Sequence, residues 1–259
     1  MKITKRIVFS VTGLTVAALT AVAVPGHRFG TDIFHFRVQT AMVNQGVEPA
    51  ATGSVSSMHD VQGHANIQKL DITVDGLMPN TPYELDASTD NNSSFFGVVD
   101  FTTDASGKAS LHYQKVGNGQ GNGHGRAQLP VAVDPVNAIT GLAIVDTNFQ
   151  SVLTADLLSP DRLQVLIKRD ISSDQVPALL FIHANDNEYT IKLAASNLAT
   201  NSPYGLAVNG NVVQVNNSDA NGRLAIGTTF SNATDVLDLT SVSLVDNSGT
   251  NVVVGTSLP

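Results

Sequence analysis

Histidine is the side chain best suited to hold a metal or move a proton near neutral pH, and the chain has seven of them. Two stand close together in "MHDVQGH", where His59 and His64 flank Asp60. Imidazoles and a carboxylate bind zinc or copper, but a site needs three or four converging ligands. A loop through this stretch would let His59, Asp60 and His64 approach one another, and metal-assisted hydrolysis is the chemistry they would support. They are the weak metal candidates, set against a solvated loop of the same residues. His27, His35, His112, His124 and His183 are scattered, and no HExxH, no His-x-His and no cysteine occurs.

Other patterns fall short of chemistry. In "NNSDANG", Asn217, Asp219, Asn221 and Gly222 occupy positions one, three, five and six of a calcium loop, but position twelve is Thr228 rather than a bidentate glutamate. A hairpin turn accounts for it better. The stretch "GNGQGNGHGR" (117–126) lacks the GxxxxGK[ST] pattern and no helix follows it, so it reads as a hairpin tip rather than a phosphate cradle. No GxSxG elbow is present. No catalytic residue and no cofactor is expected.

The elements that would carry these residues are written twice. "GLMPNTPYEL" (76–85) returns as "NLATNSPYGL" (197–206). Upstream, "DIFHFRVQTAMVNQGVEPA" from Asp32 aligns with "DRLQVLIKRDISSDQVPA" from Asp161, with one residue gained before "PA" in the first copy. Then "LDITVDGL" meets "IKLAASNL", "DASGKASL" meets "DANGRLAI" and "ITGLAIVD" meets "LTSVSLVD". The offset shrinks in one direction throughout, as for one domain duplicated with longer loops in the first copy. "FHFRVQT" alternates at period two, which also makes its partner "RLQVLIKRD" a strand. About eight short strands per copy, separated by turn signals, indicate β-sandwiches.

The repeated ten-residue stretch has the spacing of a tyrosine corner. There, a Tyr near a strand start buries its ring and returns its hydroxyl to upstream backbone. Tyr83 and Tyr204 are the corner residues, with Leu77 and Leu198 beside them and Gly107 and Gly222 in the following hairpin loops. On these residues the chain resembles fibronectin type III-like modules and tandem β-sandwich repeats of exported bacterial proteins. The resemblance implies a Greek-key, immunoglobulin-like sandwich and little about activity. In the second copy Thr200 stands for the proline and Ser202 for the threonine.

Composition agrees with an all-β chain. Only three residues are glutamate, while Asp, Asn, Ser, Thr and Gly abound, the balance of turns rather than helices. Residues 1–23 read as a secretory signal: Lys2, Lys5 and Arg6, an apolar run, then "AVA" before the cut. Removing it leaves 11 cations against 22 acids, a net charge of −11, which argues against nucleic acid and anionic membranes as partners. The expected layout is a signal peptide (1–23), a linker (24–31), one sandwich over 32–157 and a second over 161–259. The short join at Leu157–Pro160 leads us to expect copies stacked end to end as a semi-rigid rod.

The sequence therefore points to an exported, non-enzymatic protein of a bacterial envelope or exterior, serving structure, adhesion or protein interaction. The expected partner is a protein or another cell-surface component, with self-association through exposed strand edges as a further route. A glycan or small-ligand module using loops of the first copy is the alternative. A metal-dependent hydrolase ranks third.

Overall fold

The computed structural model describes residues 32–117 and 125–256. The signal (1–23), the linker (24–31) and the glycine-rich residues 118–124 lie outside the described residues. Within them the protein is all β, and its only helical turns are three short 3-10 segments, Val131–Val133, Val136–Ala138 and Ala233–Asp238.

Alternation builds the strands. In β4 (Ala65–Asp75), Leu70, Ile72 and Val74 are buried, while Thr73 and Asp75 between and beyond them are exposed. Such a strand has one dry face and one wet face. The first set continues the pattern with β1 (Ile33–Ala41), β2 (Val43–Asn44), β3 (Thr52–Gln62), β5 (Pro82–Ser88), β6 (Phe96–Thr102), β7 (Ala109–Val116), β8 (Ala127–Gln128), β9 (Gly141–Val145) and β10 (Ser151–Asp156). The second set comprises β11 (Arg162–Asp170), β12 (Ala178–Ala184), β13 (Tyr189–Ala195), β14 (Pro203–Val208), β15 (Asn211–Asn217), β16 (Leu224–Phe230), β17 (Ser241–Val245) and β18 (Asn251–Thr256).

These strands form three sheets. A nine-stranded sheet runs β16-β13-β12-β11-β1-β3-β4-β7-β8, a five-stranded sheet β2-β10-β9-β5-β6, and a four-stranded sheet β15-β14-β17-β18. Leu70 and Ile72 of the large sheet share one buried cluster with Leu85, Leu142 and Ile144 of the five-stranded sheet. Ile182 and Ile191 share it with Leu206, Val242 and Leu244 of the four-stranded sheet. The two smaller sheets therefore cover the same face of the large one.

The end-to-end arrangement expected from the short join is overturned. β1 and β11, the first strand of each set, pair antiparallel from Ile33↔Lys168 to Gln39↔Arg162, centred on Phe36↔Val165. The two sets thus lie side by side in one continuous sheet. Directly opposed residues share a face, so Phe36 and Val38 join Leu163, Val165 and Ile167 in the core, each no more than 5% exposed. Burying each such side chain is worth about 1.5–3 kcal/mol, which outweighs the flexibility of a five-residue connection. Carboxylates close both ends of the seam. Asp161 accepts from the Ala41 N–H at 2.6 Å, and Asp32 accepts from the Asp170 N–H at 3.0 Å.

Because β1 lies between β3 and β11, its odd-numbered and even-numbered amides are all inside ladders. Native-state hydrogen exchange is expected to protect Phe34 through Gln39 without alternation. Fast exchange at every second amide of β1, as on a free edge, would contradict the seam.

Candidate functional site

The residues singled out around the tyrosines meet at the crossovers between sheets. β4 ends in the large sheet and β5 begins in the five-stranded one; β13 and β14 make the same transfer in the second set. The bend leaves backbone groups that the ladders cannot pair, and buried groups of that kind must find partners. The Tyr83 ring is buried and its hydroxyl accepts the Met78 N–H at 3.1 Å. The Tyr204 hydroxyl accepts the Ala199 N–H at 3.0 Å. Asn80 and Asn201 turn the chain with the same φ of +51°, a left-handed setting that asparagine tolerates.

The hairpin loops dock onto these bends. Leu77 N–H donates to the Gly107 carbonyl at 3.1 Å, and Leu198 N–H to the Gly222 carbonyl at 3.0 Å. Both glycines have positive φ, and a Cβ would stand 2.0 Å from the Leu77 carbonyl oxygen or 2.3 Å from that of Leu198. Only glycine meets both demands. Just before each loop sits a buried hydroxyl. Thr103 donates to the Met78 carbonyl at 2.6 Å and accepts the Thr81 N–H at 3.1 Å. Ser218 does the same with Ala199 and Ser202 at 2.5 and 3.1 Å. The matched positions of Thr103 and Ser218, each preceding the loop aspartate, were the signal for them in the sequence.

Glu48 is the other residue that sequence reasoning missed. Among the described residues it is the one buried carboxylate, accepting from the Tyr83 hydroxyl at 2.5 Å and the Met78 N–H at 2.9 Å. It is the residue gained before "PA", so the second corner has no counterpart. Burial first, and then the Glu48 carboxylate, push the Tyr83 phenol up to about 12.

The metal candidates are not brought together. His59 and Asp60 lie within β3, not in a loop, so their side chains leave on opposite faces. His59 points inward at 8% exposure, edge-on to Phe34, with ring nitrogens against Asn137 and Asn66. Asp60 contacts His35 on the outer face, and His64 stands exposed in the turn after β3. No group of three or more His, Asp or Glu suited to a metal occurs among the described residues. His59 belongs instead to a polar plug. Ser57 donates to the Val136 carbonyl, while Gln68 donates to Asp134 and accepts the Val136 N–H. This seals one end of the core with the 130–139 segment.

The calcium-like loop is a turn: Asp219 accepts the N–H groups of Asn221 and Arg223, both at 2.8 Å. The Arg223 bond leads in holding its carboxyl below the usual range. Thr228 lies away from it, in β16. Two further features have no sequence forecast. On the outer face Arg126 grips both oxygens of Asp71 at 2.7 and 3.1 Å, beside His112 at 2.7 Å. Burial opposes ionisation of Asp71, but these partners hold its carboxyl below the ordinary value. In the second set a groove of about 250 Å³ opens over Gly205, between Val212, Val215 and Val245; the aligned position of the first copy is Glu84.

No protein-family model matches the chain, and no curated protein matches it either. Among the described residues no helix is long and apolar enough to cross a membrane.

Gly107→Ala and Gly222→Ala are each expected to lower unfolding free energy by about 2 kcal/mol or more, because strained φ adds to a backbone clash. Tyr204→Phe should cost about 1 kcal/mol and Tyr83→Phe about 2, the latter leaving buried Glu48 with only the Met78 N–H as donor. Denaturant melts of the four variants measure this, and equal costs for the two tyrosines would refute the Glu48 role. The raised Tyr83 phenol contributes stability that is complete below its unfolded value of 10.0 and is lost as pH climbs toward about 12. Melting temperature should therefore fall across that window, less steeply in Tyr83→Phe.

Proposed function

We propose that the chain is an exported, non-enzymatic protein of two tandem Greek-key β-sandwich modules, residues 32–157 and 161–259, serving structure, adhesion or protein interaction at a bacterial envelope or exterior. One observation carries the two-module reading: the strand orders coincide. β1-β3-β4-β7 matches β11-β12-β13-β16, and β6-β5-β9-β10 matches β15-β14-β17-β18. Setting β1 and β11 aside, each module has the order of an immunoglobulin-type sandwich, three strands against four. The corner tyrosine departs from that likeness. It stands at the start of β5 or β14, the first strand after the β4–β5 or β13–β14 transfer, rather than near the start of the penultimate one, so the kinship is architectural.

The buried polar groups speak for a structural role. Tyr83, Tyr204, Thr103, Ser218, Gln68 and His59 are all engaged with backbone or amide partners that close the fold. N-terminal sequencing of protein recovered from outside the cytoplasm is expected to begin at Val24. Retention inside with residues 1–23 intact would overturn export, and turnover of a defined substrate would overturn the non-enzymatic reading.

A small-ligand module is the second reading, and the groove over Gly205 favours it. It moves the candidate from the loops of the first copy to the second. Saturable binding of a small glycan or apolar ligand that Val215→Glu, at an exposed lining position, abolishes with the fold intact would replace the structural reading.

A further inference from the structure

The seam between β1 and β11 has a symmetry that ordinary strand pairing does not require. Aligning the two copies sets Asp32 opposite Asp161, Phe36 opposite Val165 and Ala41 opposite Asp170. In the structure Phe36 pairs with Val165, its own counterpart. Phe34 pairs with Ile167 and Val38 with Leu163, and those two pairs exchange places under the alignment. The end caps obey the same relation: Asp161 takes the Ala41 N–H and Asp32 takes the Asp170 N–H. A local two-fold axis thus passes between Phe36 and Val165. In an isologous interface residue i meets j and j meets i, and here that rule holds inside one chain.

We infer that this seam is an isologous interface enclosed within one chain, and that a second copy of the chain can occupy it by reciprocal exchange. In the exchanged dimer β1 of each chain pairs with β11 of the other, and every seam contact is kept. The hinge is the stretch after Leu157, which is itself tied to Thr140 by its N–H. Leu158 through Asp161 are partly or fully exposed. Four residues reach at most about 14 Å when extended, and a hinge this short is the kind through which elements exchange between chains. The occupant is a second copy because the two sides of the seam are equivalent strands of one module. This deepens the proposed interaction role and rests on the two-module reading, though not on export.

The chain has no cysteine, so introduced thiols report without background. Arg37 and Gln164 are direct partners across the seam, and both side chains are exposed. The double variant R37C/Q164C is expected to close a disulfide within the monomer. The single variants R37C and Q164C, one carrying a mass label, are unfolded together in urea and refolded at rising protein concentration. A disulfide joining labelled to unlabelled chain is expected, in a dimer whose share grows with concentration. The pair R37C with S248C, a loop position away from the seam, serves as control. Internal closure of the double variant, with mixed links no more frequent than in the control, would overturn the exchange and leave the two-module reading standing. Failure of the double variant to close in the folded monomer would overturn the seam itself and, with it, the exchange.

Discussion

The antiparallel contact between β1 and β11 decides the shape of everything around it. Two strand sets joined by a five-residue connection could take many relative poses, and an unpaired first strand in each would present a row of free amides and carbonyls. Pairing those two edges removes both at once and places Phe36, Val38, Leu163, Val165 and Ile167 in one core. It also forces the two smaller sheets onto the same face, because directly opposed residues in β1 and β11 must point the same way.

Each half then meets a separate problem, the transfer of the chain from one sheet to the other. Both solve it with the same atoms: a tyrosine hydroxyl on an upstream N–H, a Thr or Ser hydroxyl on the carbonyl of that same residue, and a glycine against the leucine before it. None of these groups reaches outward as a reactive group would. The first half adds Glu48, which turns the tyrosine bond into a charge-assisted one. The asymmetry is chemical and local, and the fold around it is unchanged.

What could be read in the sequence follows from how local each constraint is. The corners were legible because Leu, Asn and Tyr are demanded by a bend only ten residues long, and a glycine recurs in the hairpin loop that follows each. The strands were legible wherever the inward positions are apolar. "MHDVQGH" failed that test: in β3 the inward positions after Val55 are Ser57 and His59, polar residues matched to the 130–139 segment far along the chain. Period two was present but written in polar residues, so the stretch read as a loop and His59, Asp60 and His64 as neighbours. The seam was invisible for a related reason. Nothing in "FHFRVQT" or "RLQVLIKRD" names its lateral partner, and a short connection is compatible with stacking as well as with pairing. Glu48 was visible only as an insertion, since its role depends on Tyr83, 35 residues away.

The matched strand orders, the paired first strands and the inward-directed polar groups of the two crossovers make one coherent architecture. That picture stands on the continuity of the large sheet. The most direct test is the network of nuclear Overhauser contacts between backbone protons of β1 and β11 in the intact, isotope-labelled chain. Cross-strand contacts centred on Phe36 and Val165, with Phe34 near Ile167 and Val38 near Leu163, are the expected result. Strong contacts within each half and none between β1 and β11 would contradict the shared sheet and leave the two strand sets independently placed.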